Sequence, residues 1–191
     1  MEKAFVALDQ KTNRIVMRHG PIDLFVKINA EDPNVLGTAL RLISKPFGEV
    51  LPSLCEELPM LRTNVEHIAF PPKGTIAERM CKSAASFSGF DAVTPMIAVA
   101  GSVADYICGL IDDHFQTRRI IVNNGGDIAF KLDQDQPMAV GICDGAGHFN
   151  NRNIGLVRSD WRHRHERLAW SQLFIGHSRR CHGYGHNCIT S

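Results

Sequence analysis

The sequence predicts an α+β fold, in which a mainly antiparallel sheet is packed by helices. Apolar and polar residues alternate in short runs near the start of the chain and again after residue 118, whereas the segments between them repeat their apolar residues with helical spacing. The predicted order is therefore strands, helices and then strands again, which is typical of α+β proteins. The 191 residues are 44% apolar and 21% charged, as in a globular protein and unlike a disordered chain.

Two strands are predicted first. Residues 14–18 and residues 22–28 alternate between apolar and polar side chains. The residues between them are His19, Gly20 and Pro21, which favour a turn. The two runs therefore predict a strand pair.

Three helices are predicted next. Asp32 and Pro33 indicate a helix start, because an aspartate oxygen can cap the first amides and proline suits the first helical position. Helical spacing of apolar residues continues to Pro46, where proline predicts the end of this helix. A second helix is expected over 47–58, and a third over 75–87.

The middle of the chain predicts a helix followed by strands. Residues 94–115 open with a proline and small residues and continue with an amphipathic helical pattern. Residues 118–132 contain two β-rich runs separated by a glycine turn, and residues 138–143 predict a further short strand.

The glycine turn is the first candidate binding segment. Two adjacent glycines adopt positive φ without steric cost, and they leave bare backbone that a ligand can approach closely. An ordinary hairpin turn explains the same residues, because Asn-Gly is a strong hairpin signal. The candidate residues are Asn123, Asn124, Gly125, Gly126 and Asp127.

A run of small residues at the predicted helix start is the second candidate. Backbone N–H groups without partners and the helix dipole favour an anion such as phosphate at this position. Tight packing of a helix on a sheet also selects small residues, so both interpretations stay open. The candidate residues are Ala98, Gly101 and Ser102.

Together the two segments resemble the ApbE-like proteins. The strings TPMIAVAGSVADYI and IIVNNGGDIAF are similar to two motifs of that superfamily, above all in its shorter uncharacterised relatives. Gly101 and Asp105 match the Gly and Asp of the first motif, and residues 122–128 match the second. The resemblance implies an ApbE-like layered fold and adds Asp105 to the candidate site.

The resemblance also implies a ligand. ApbE is a magnesium-dependent flavin transferase that cleaves FAD and attaches FMN through a phosphoester to Ser or Thr of a protein. A pocket for FAD or a related nucleotide, with a protein as second substrate, is thus implied for this chain. The flavin transferases have Lys before the Gly of the first motif, where this chain has Ala100. This departure argues against transferase activity, but not against the fold or a flavin-type ligand.

The end of the chain differs in composition from the rest. Residues 1–147 carry 14 Lys and Arg and 18 Asp and Glu, a net charge of −4, whereas residues 148–191 carry seven Arg and two acids, a net charge of +5. In the flavin transferases this region holds a Gly-Thr-Ser-Gly stretch and an Ala-Asp-Ala-x-Thr motif with magnesium ligands. Neither occurs after Asp144. The resemblance therefore implies magnesium only for an intact homologue.

A shift of the reading frame by one base recovers both motifs. Trp161 and Trp170 have one codon each and become Gly in the shifted frame, and permitted codons elsewhere give AIGGTGTSGWRGRSFSLGIADAVTVTA over roughly 159–185. We therefore predict a frameshift near residues 157–159, an incomplete ApbE-like domain over 1–157 and an out-of-frame tail over 158–191.

Two alternatives assign a function to the tail. Its Cys and His side chains are suitable zinc ligands, although their crowded spacing matches no known zinc motif. The Arg, His and Trp residues are suited to RNA or another polyanion through charge and stacking. The frameshift explains this composition better than either. The zinc candidates are Cys181, His182, His186 and Cys188.

The sequence thus predicts a cytoplasmic protein that binds a flavin or nucleotide-type ligand and is inactive as a transferase in this form. The chain shows no signal-peptide pattern, no uninterrupted run of 18 apolar residues and no CxxC pair among its six Cys, so we expect no membrane partner and reduced thiols. No nucleic-acid partner is expected, and homo-oligomer formation is left open. The alternative is a non-enzymatic ligand-binding or partner-docking module of the same fold.

Overall fold

An antiparallel sheet and the helices packed against it form the part of the chain described by the computed structural model, which covers residues 3–89 and 92–133 and the backbone of three later two-residue strands. Between the helices lie two 3-10 turns, Val65–His67 and Pro95–Ala98. The strands and helices of these described residues are β1 Phe5–Asp9, β2 Arg14–His19, β3 Ile22–Asn29, α1 Val35–Glu56, α2 Leu58–Leu61, α3 Thr75–Ala85, α4 Val99–His114, β4 Arg119–Asn124, β5 Asp127–Leu132, β6 Ile142–Cys143, β7 Phe149–Asn150 and β8 Leu173–Phe174.

The sheet places strands side by side that are far apart in the chain. Its order within the described residues is β1-β2-β3-β4-β5-β8, with every neighbouring pair antiparallel, and β6 and β7 form a separate pair. The helices α1 to α4 are inserted between β3 and β4, which nevertheless pair along their length. The predicted α+β class with an antiparallel sheet is confirmed.

Helices cover one face of the sheet. α1 packs on β1 to β3, and α4 packs on β4 and β5. Because side chains alternate along a strand, every second residue of β2, β3 and β4 points to this face. The fully buried strand residues on this face are Ile15, Met17, Leu24, Val26, Ile120 and Val122.

α1 corrects the prediction of two helices separated at Pro46. A single helix of 22 residues passes through both Pro46 and Pro52. A proline inside a helix removes one backbone hydrogen bond and costs about 3 kcal/mol. Burial of large apolar side chains on both sides of the prolines offsets this cost at about 1.5–3 kcal/mol each. These side chains are Ile43, Phe47, Val50 and Leu54.

The start of α1 also differs from the prediction. The helix begins at Val35, two residues after Pro33, and its N-cap is Asn34. The Asp32 carboxylate instead accepts a hydrogen bond from the Asn34 backbone N–H at 2.8 Å, before the first helical residue. Asp32 therefore stabilises the turn that precedes the helix and does not cap the helix itself.

The other predicted elements within the described residues are confirmed. β2 and β3 pair around a turn at Gly20 and Pro21, and β4 and β5 pair around the glycine turn. The third predicted helix is α3, which ends at Ala85. Of the strand predicted over 138–143, only its end is described, as β6. The predicted domain boundary after residue 157 lies outside the described residues.

α4 is the central apolar helix. Together with the 3-10 turn before it, it forms a 20-residue stretch, Pro95–His114, that is long and apolar enough to cross a membrane by length and composition. Core helices pass the same test, and 56% of this stretch is buried inside the fold. The stretch is thus weak evidence for a membrane span. Its fully buried side chains are Val103, Ala104, Ile107, Cys108 and Ile111.

Two cysteines occupy apolar surroundings, as the sequence predicts for unpaired thiols. Cys108 is fully buried, and burial raises the pKa of its thiol far above the usual range. Cys81 is half-buried with its Sγ 3.9 Å from the Met60 Sδ, and burial raises the pKa of this thiol as well. Both behave as small hydrophobic residues.

Phe47 provides a test of how α1 contributes to the core. Its side chain is fully buried, and its ring lies edge-on to the His19 ring with the centroids 6.2 Å apart. We expect Phe47→Ala to lower the free energy of unfolding by about 3–5 kcal/mol, because it leaves a cavity in the core. Urea unfolding measures the change. The control Glu49→Ala, at an exposed position of the same helix, should change stability by less than about 0.5 kcal/mol. Equal losses in both variants would contradict this role.

Candidate functional site

The glycine turn is a tight two-residue hairpin. Asn124 pairs with Asp127 across it, and the two central residues have φ of +61° at Gly125 and +117° at Gly126. Positive φ at both positions is the requirement of a type I′ turn, which glycine meets without strain. The Gly126 backbone N–H donates to the Asn123 side-chain oxygen at 2.9 Å. The predicted hairpin turn at these residues is therefore confirmed.

Asn124 joins this turn to the helix start. Its side chain is buried, and its Nδ2 donates to the backbone carbonyl of Ala100 at 3.0 Å. Ala100 lies in the first turn of α4, 24 residues earlier in the chain. The structure thus places the two sequence-predicted segments against each other through a buried hydrogen bond.

The start of α4 is less open than the sequence suggests. A 3-10 turn precedes the helix, and the Val99 backbone N–H already donates to the Met96 carbonyl. Gly101 and Ser102 are buried where α4 packs on β4 and β5, and Ala98 is buried just before the helix. The small residues thus allow tight helix-on-sheet packing, and the ligand-binding interpretation of these positions stays a prediction.

Ser102 has a polar group that this packing does not satisfy. The residue is 1% exposed, and its hydroxyl has no hydrogen-bond partner among the described residues. A buried hydroxyl without a partner costs about 1–3 kcal/mol, so natural folds rarely keep one. The hydroxyl is therefore available to a group that is not part of the described chain.

Two carboxyl groups complete the candidate set. Asp105 is buried in α4, one turn after Gly101. Asp127 is half-buried at the end of the glycine turn, and removal from water raises the pKa of its carboxyl group. Asp127 points to the same face of the sheet as its partner Asn124, because paired residues of antiparallel strands share a face.

The described residues do not form a metal centre. They contain no group of three or more His, Cys, Asp or Glu side chains that could hold a metal ion. The resemblance assigns the family's magnesium ligands to 158–191, where the zinc candidates also lie, and no side chain of this segment is among the described residues. Two histidines earlier in the chain differ in their surroundings, since His19 is buried against Phe47 and His67 is exposed.

Sequence reasoning missed the way in which Asn124 acts. The motif presents Asn124 as a polar group at the rim of a ligand pocket, whereas its amide nitrogen is used inside the protein. No local pattern signals this bond, because its acceptor is a backbone carbonyl in another element. The sequence offered one indication of this contact, because both motifs contain small residues that allow the glycine turn and the start of α4 to lie close together.

Comparisons with known proteins give a family match and a distant relative. The model of the family described as AbpE bacteria matches residues 6–180 of the chain. This range includes the predicted boundary after residue 157. A UPF0280 protein from Methanococcoides burtonii is 45% identical over 65 residues, which are 34% of this chain and 25% of that protein. The chain thus spans about a quarter of the length of this relative.

Asn124 is expected to hold the turn against α4. Asn124→Ala removes the donor of this part-buried hydrogen bond, so we expect the free energy of unfolding to fall by about 0.5–1.5 kcal/mol. Urea unfolding measures this loss. The matched control is Asn34→Ala, because Asn34 is exposed and its side chain makes no cap hydrogen bond. An Asn124→Ala variant as stable as the control would show that the bond does not anchor the turn.

Asp127 is expected to make stability depend on pH. Because its pKa is raised in the folded state, the folded protein keeps this proton to higher pH than the unfolded chain, and stability falls as pH rises through that interval. Asp127→Asn should remove this fall in urea unfolding measured from about pH 4 to about pH 7. Asp9 provides the opposite sign, since hydrogen bonds from Thr12 and Lys11 lower the pKa of its carboxyl group. Asp9→Asn should remove a rise with pH in a second series measured below about pH 4, since the lowered pKa places its interval there. Slopes that change in the same direction in both variants would refute the assignment.

Proposed function

The chain belongs to the family described as AbpE bacteria, and from this premise we propose that it binds a flavin or related nucleotide between the glycine turn and the first turn of α4. The proposed ligand is FAD or a molecule with the same nucleotide chemistry. The flavin transferases of the superfamily that this chain resembles carry out magnesium-dependent transfer of FMN from FAD to a protein hydroxyl. A cytoplasmic location is part of the same proposal.

The contact between Asn124 and Ala100 carries the proposal. It brings together, at 3.0 Å, the two segments that resemble the motifs of the flavin transferases. Backbone at the tip of the glycine turn, next to this contact, is accessible, since a Cβ added at Gly125 would meet no heavy atom within 4 Å. Flat or phosphorylated ligands can approach such a backbone closely, which bulkier residues would prevent.

The polar groups beside the turn suit a nucleotide-type ligand. The buried Ser102 hydroxyl can donate to or accept from a ligand oxygen, which would remove the cost of leaving it without a partner. The Asp127 carboxyl group can accept hydrogen bonds from ligand hydroxyls when ionised, and its raised pKa makes this ability depend on pH. Both groups have chemistry that matches the hydroxyl-rich parts of a flavin nucleotide.

Transferase activity is not part of the proposal for the chain in this form. Ala100 stands where the transferases have Lys, and the described residues offer no metal-ligand cluster. These residues therefore do not fit a catalytic magnesium ion by themselves. We propose that the metal-ligand segment of the family is lost in an out-of-frame tail over 158–191.

A non-enzymatic binding module is the second candidate. The observation that favours it is the same Ala100. Without the lysine, the site can still hold a ligand, but it has no lysine charge beside the ligand's phosphate groups. AMP release separates the two candidates. An enzyme releases AMP from FAD in the presence of Mg²⁺, whereas a binding module leaves FAD intact.

Titration of FAD against the full chain, with and without Mg²⁺, tests the proposal. We expect saturable quenching of flavin fluorescence without AMP release. Absence of saturable binding would exclude the flavin site. AMP release would show that the chain cleaves FAD, and FMN bound covalently to an added protein acceptor would show that it is a functioning transferase.

Gly125→Asn separates a ligand site from an ordinary hairpin turn. Asn tolerates φ near +60°, and there is open space at this position, so the variant should keep its stability within about 0.5 kcal/mol. Its side chain would occupy the backbone approach, and we expect FAD affinity to fall by about tenfold or more. The control is Gly89→Asn, at another positive-φ glycine with open space in a different part of the chain. Unchanged FAD affinity in Gly125→Asn would favour the plain hairpin.

A further inference from the structure

A second concave site lies at the opposite end of β4 from the glycine turn. It is a cavity of about 400 Å³ between the end of β3, the start of β4 and the start of α1. Arg119 lines it, and Arg119 is separated from Asn124 by the length of β4, about 17 Å at about 3.4 Å per residue. The cavity is therefore distinct from the proposed flavin site.

Two cations converge on this cavity. Lys27 and Arg119 both line it, and the register of β3 and β4 places them as diagonal neighbours on the face of the sheet opposite the fully buried strand residues, at the end of the sheet where the chain turns toward α1. Like charges at such positions repel each other unless an anion lies between them. No ion pair within the described residues involves either cation.

The neighbouring acids are engaged elsewhere. Glu31 forms an ion pair with Arg118 at 2.5 Å. Asp32 lines the cavity, but its carboxylate accepts the Asn34 backbone N–H at 2.8 Å. The charge of the cavity lining is therefore positive overall, with two cations against one aspartate.

The wall formed by α1 adds two properties. α1 has no acidic residue in its first turn, so the positive end of its dipole adds to the positive potential of the two side chains. Val35 and Leu36 give the same wall an apolar surface. The cavity thus combines a cationic end with an apolar side, at a volume typical of small-molecule sites.

We propose that this cavity binds a small organic phosphomonoester. Lys27 and Arg119 hold the phosphate group, because charge-assisted hydrogen bonds from both cations match its oxygens. The apolar wall at Val35 and Leu36 contacts the organic part of the ligand. A phosphate ester is favoured over a simple inorganic anion, because only the ester uses both parts of the lining.

Calorimetric titration of the full chain at constant ionic strength tests this site, with phenyl phosphate and inorganic phosphate as probes. Phenyl phosphate is expected to bind saturably, and more tightly than inorganic phosphate. Each of the variants Lys27→Gln and Arg119→Gln should weaken it by about tenfold or more, since each removes one charged hydrogen-bond donor. Equal affinity for the two probes, or no binding of either, would overturn the proposal.

Matched variants separate this site from general electrostatics and from the flavin site. Lys45→Gln and Arg62→Gln change exposed residues away from the cavity by the same net charge, and both should leave phenyl phosphate affinity unchanged. Loss of affinity in these controls equal to that in Lys27→Gln would overturn the proposal. Gly125→Asn should also bind phenyl phosphate as the unmodified chain does, so that failure of either site is visible without the other. Thermal unfolding without ligand verifies that each variant is folded.

Discussion

Burial of α4 against β4 and β5 is the constraint on which the rest of the structure depends. The buried side of this helix carries five fully buried residues, and a large apolar side chain contributes about 1.5–3 kcal/mol when it is removed from water. The close contact requires small residues at the helix start, where Gly101 and Ala104 face the sheet region without exposed surface. The same packing explains why the most hydrophobic stretch of the chain lies inside the fold.

The candidate site follows from this packing rather than from the turn alone. The Gly125–Gly126 turn is stabilised locally by the Asn123 side chain, as in many hairpins. Its attachment to α4 depends on Asn124, whose amide reaches the Ala100 carbonyl. Packing also buries the Ser102 hydroxyl at this junction, which is unfavourable unless another group binds it. In the proposed site, the cost of this hydroxyl would be removed when a ligand oxygen binds it.

The two ends of β4 have opposite electrostatic character. At the glycine turn the nearby ionisable groups are carboxyls, and burial raises the pKa of the Asp127 group. At the start of the strand, Arg119 and Lys27 form a cationic end without an ion-pair partner among the described residues. The acidic charge of residues 1–147 as a whole therefore does not describe every surface of the protein, because the position of each charge in the sheet decides what it meets.

The sequence by itself determined the elements whose signals are local. Alternation predicted β2 and β3, the glycines predicted the turn between β4 and β5, and helical spacing predicted α3 and α4, because each depends on neighbours within a few residues. The helix end predicted at Pro46 was wrong, because burial of Phe47 and Val50 in the core outweighs the lost helix hydrogen bond. Only the tertiary structure decided the pairing of β3 with β4, the bond from Asn124 to α4 and the convergence of Lys27 with Arg119. These three features join residues far apart in the chain, and no local preference specifies which distant partner a side chain or strand edge will meet.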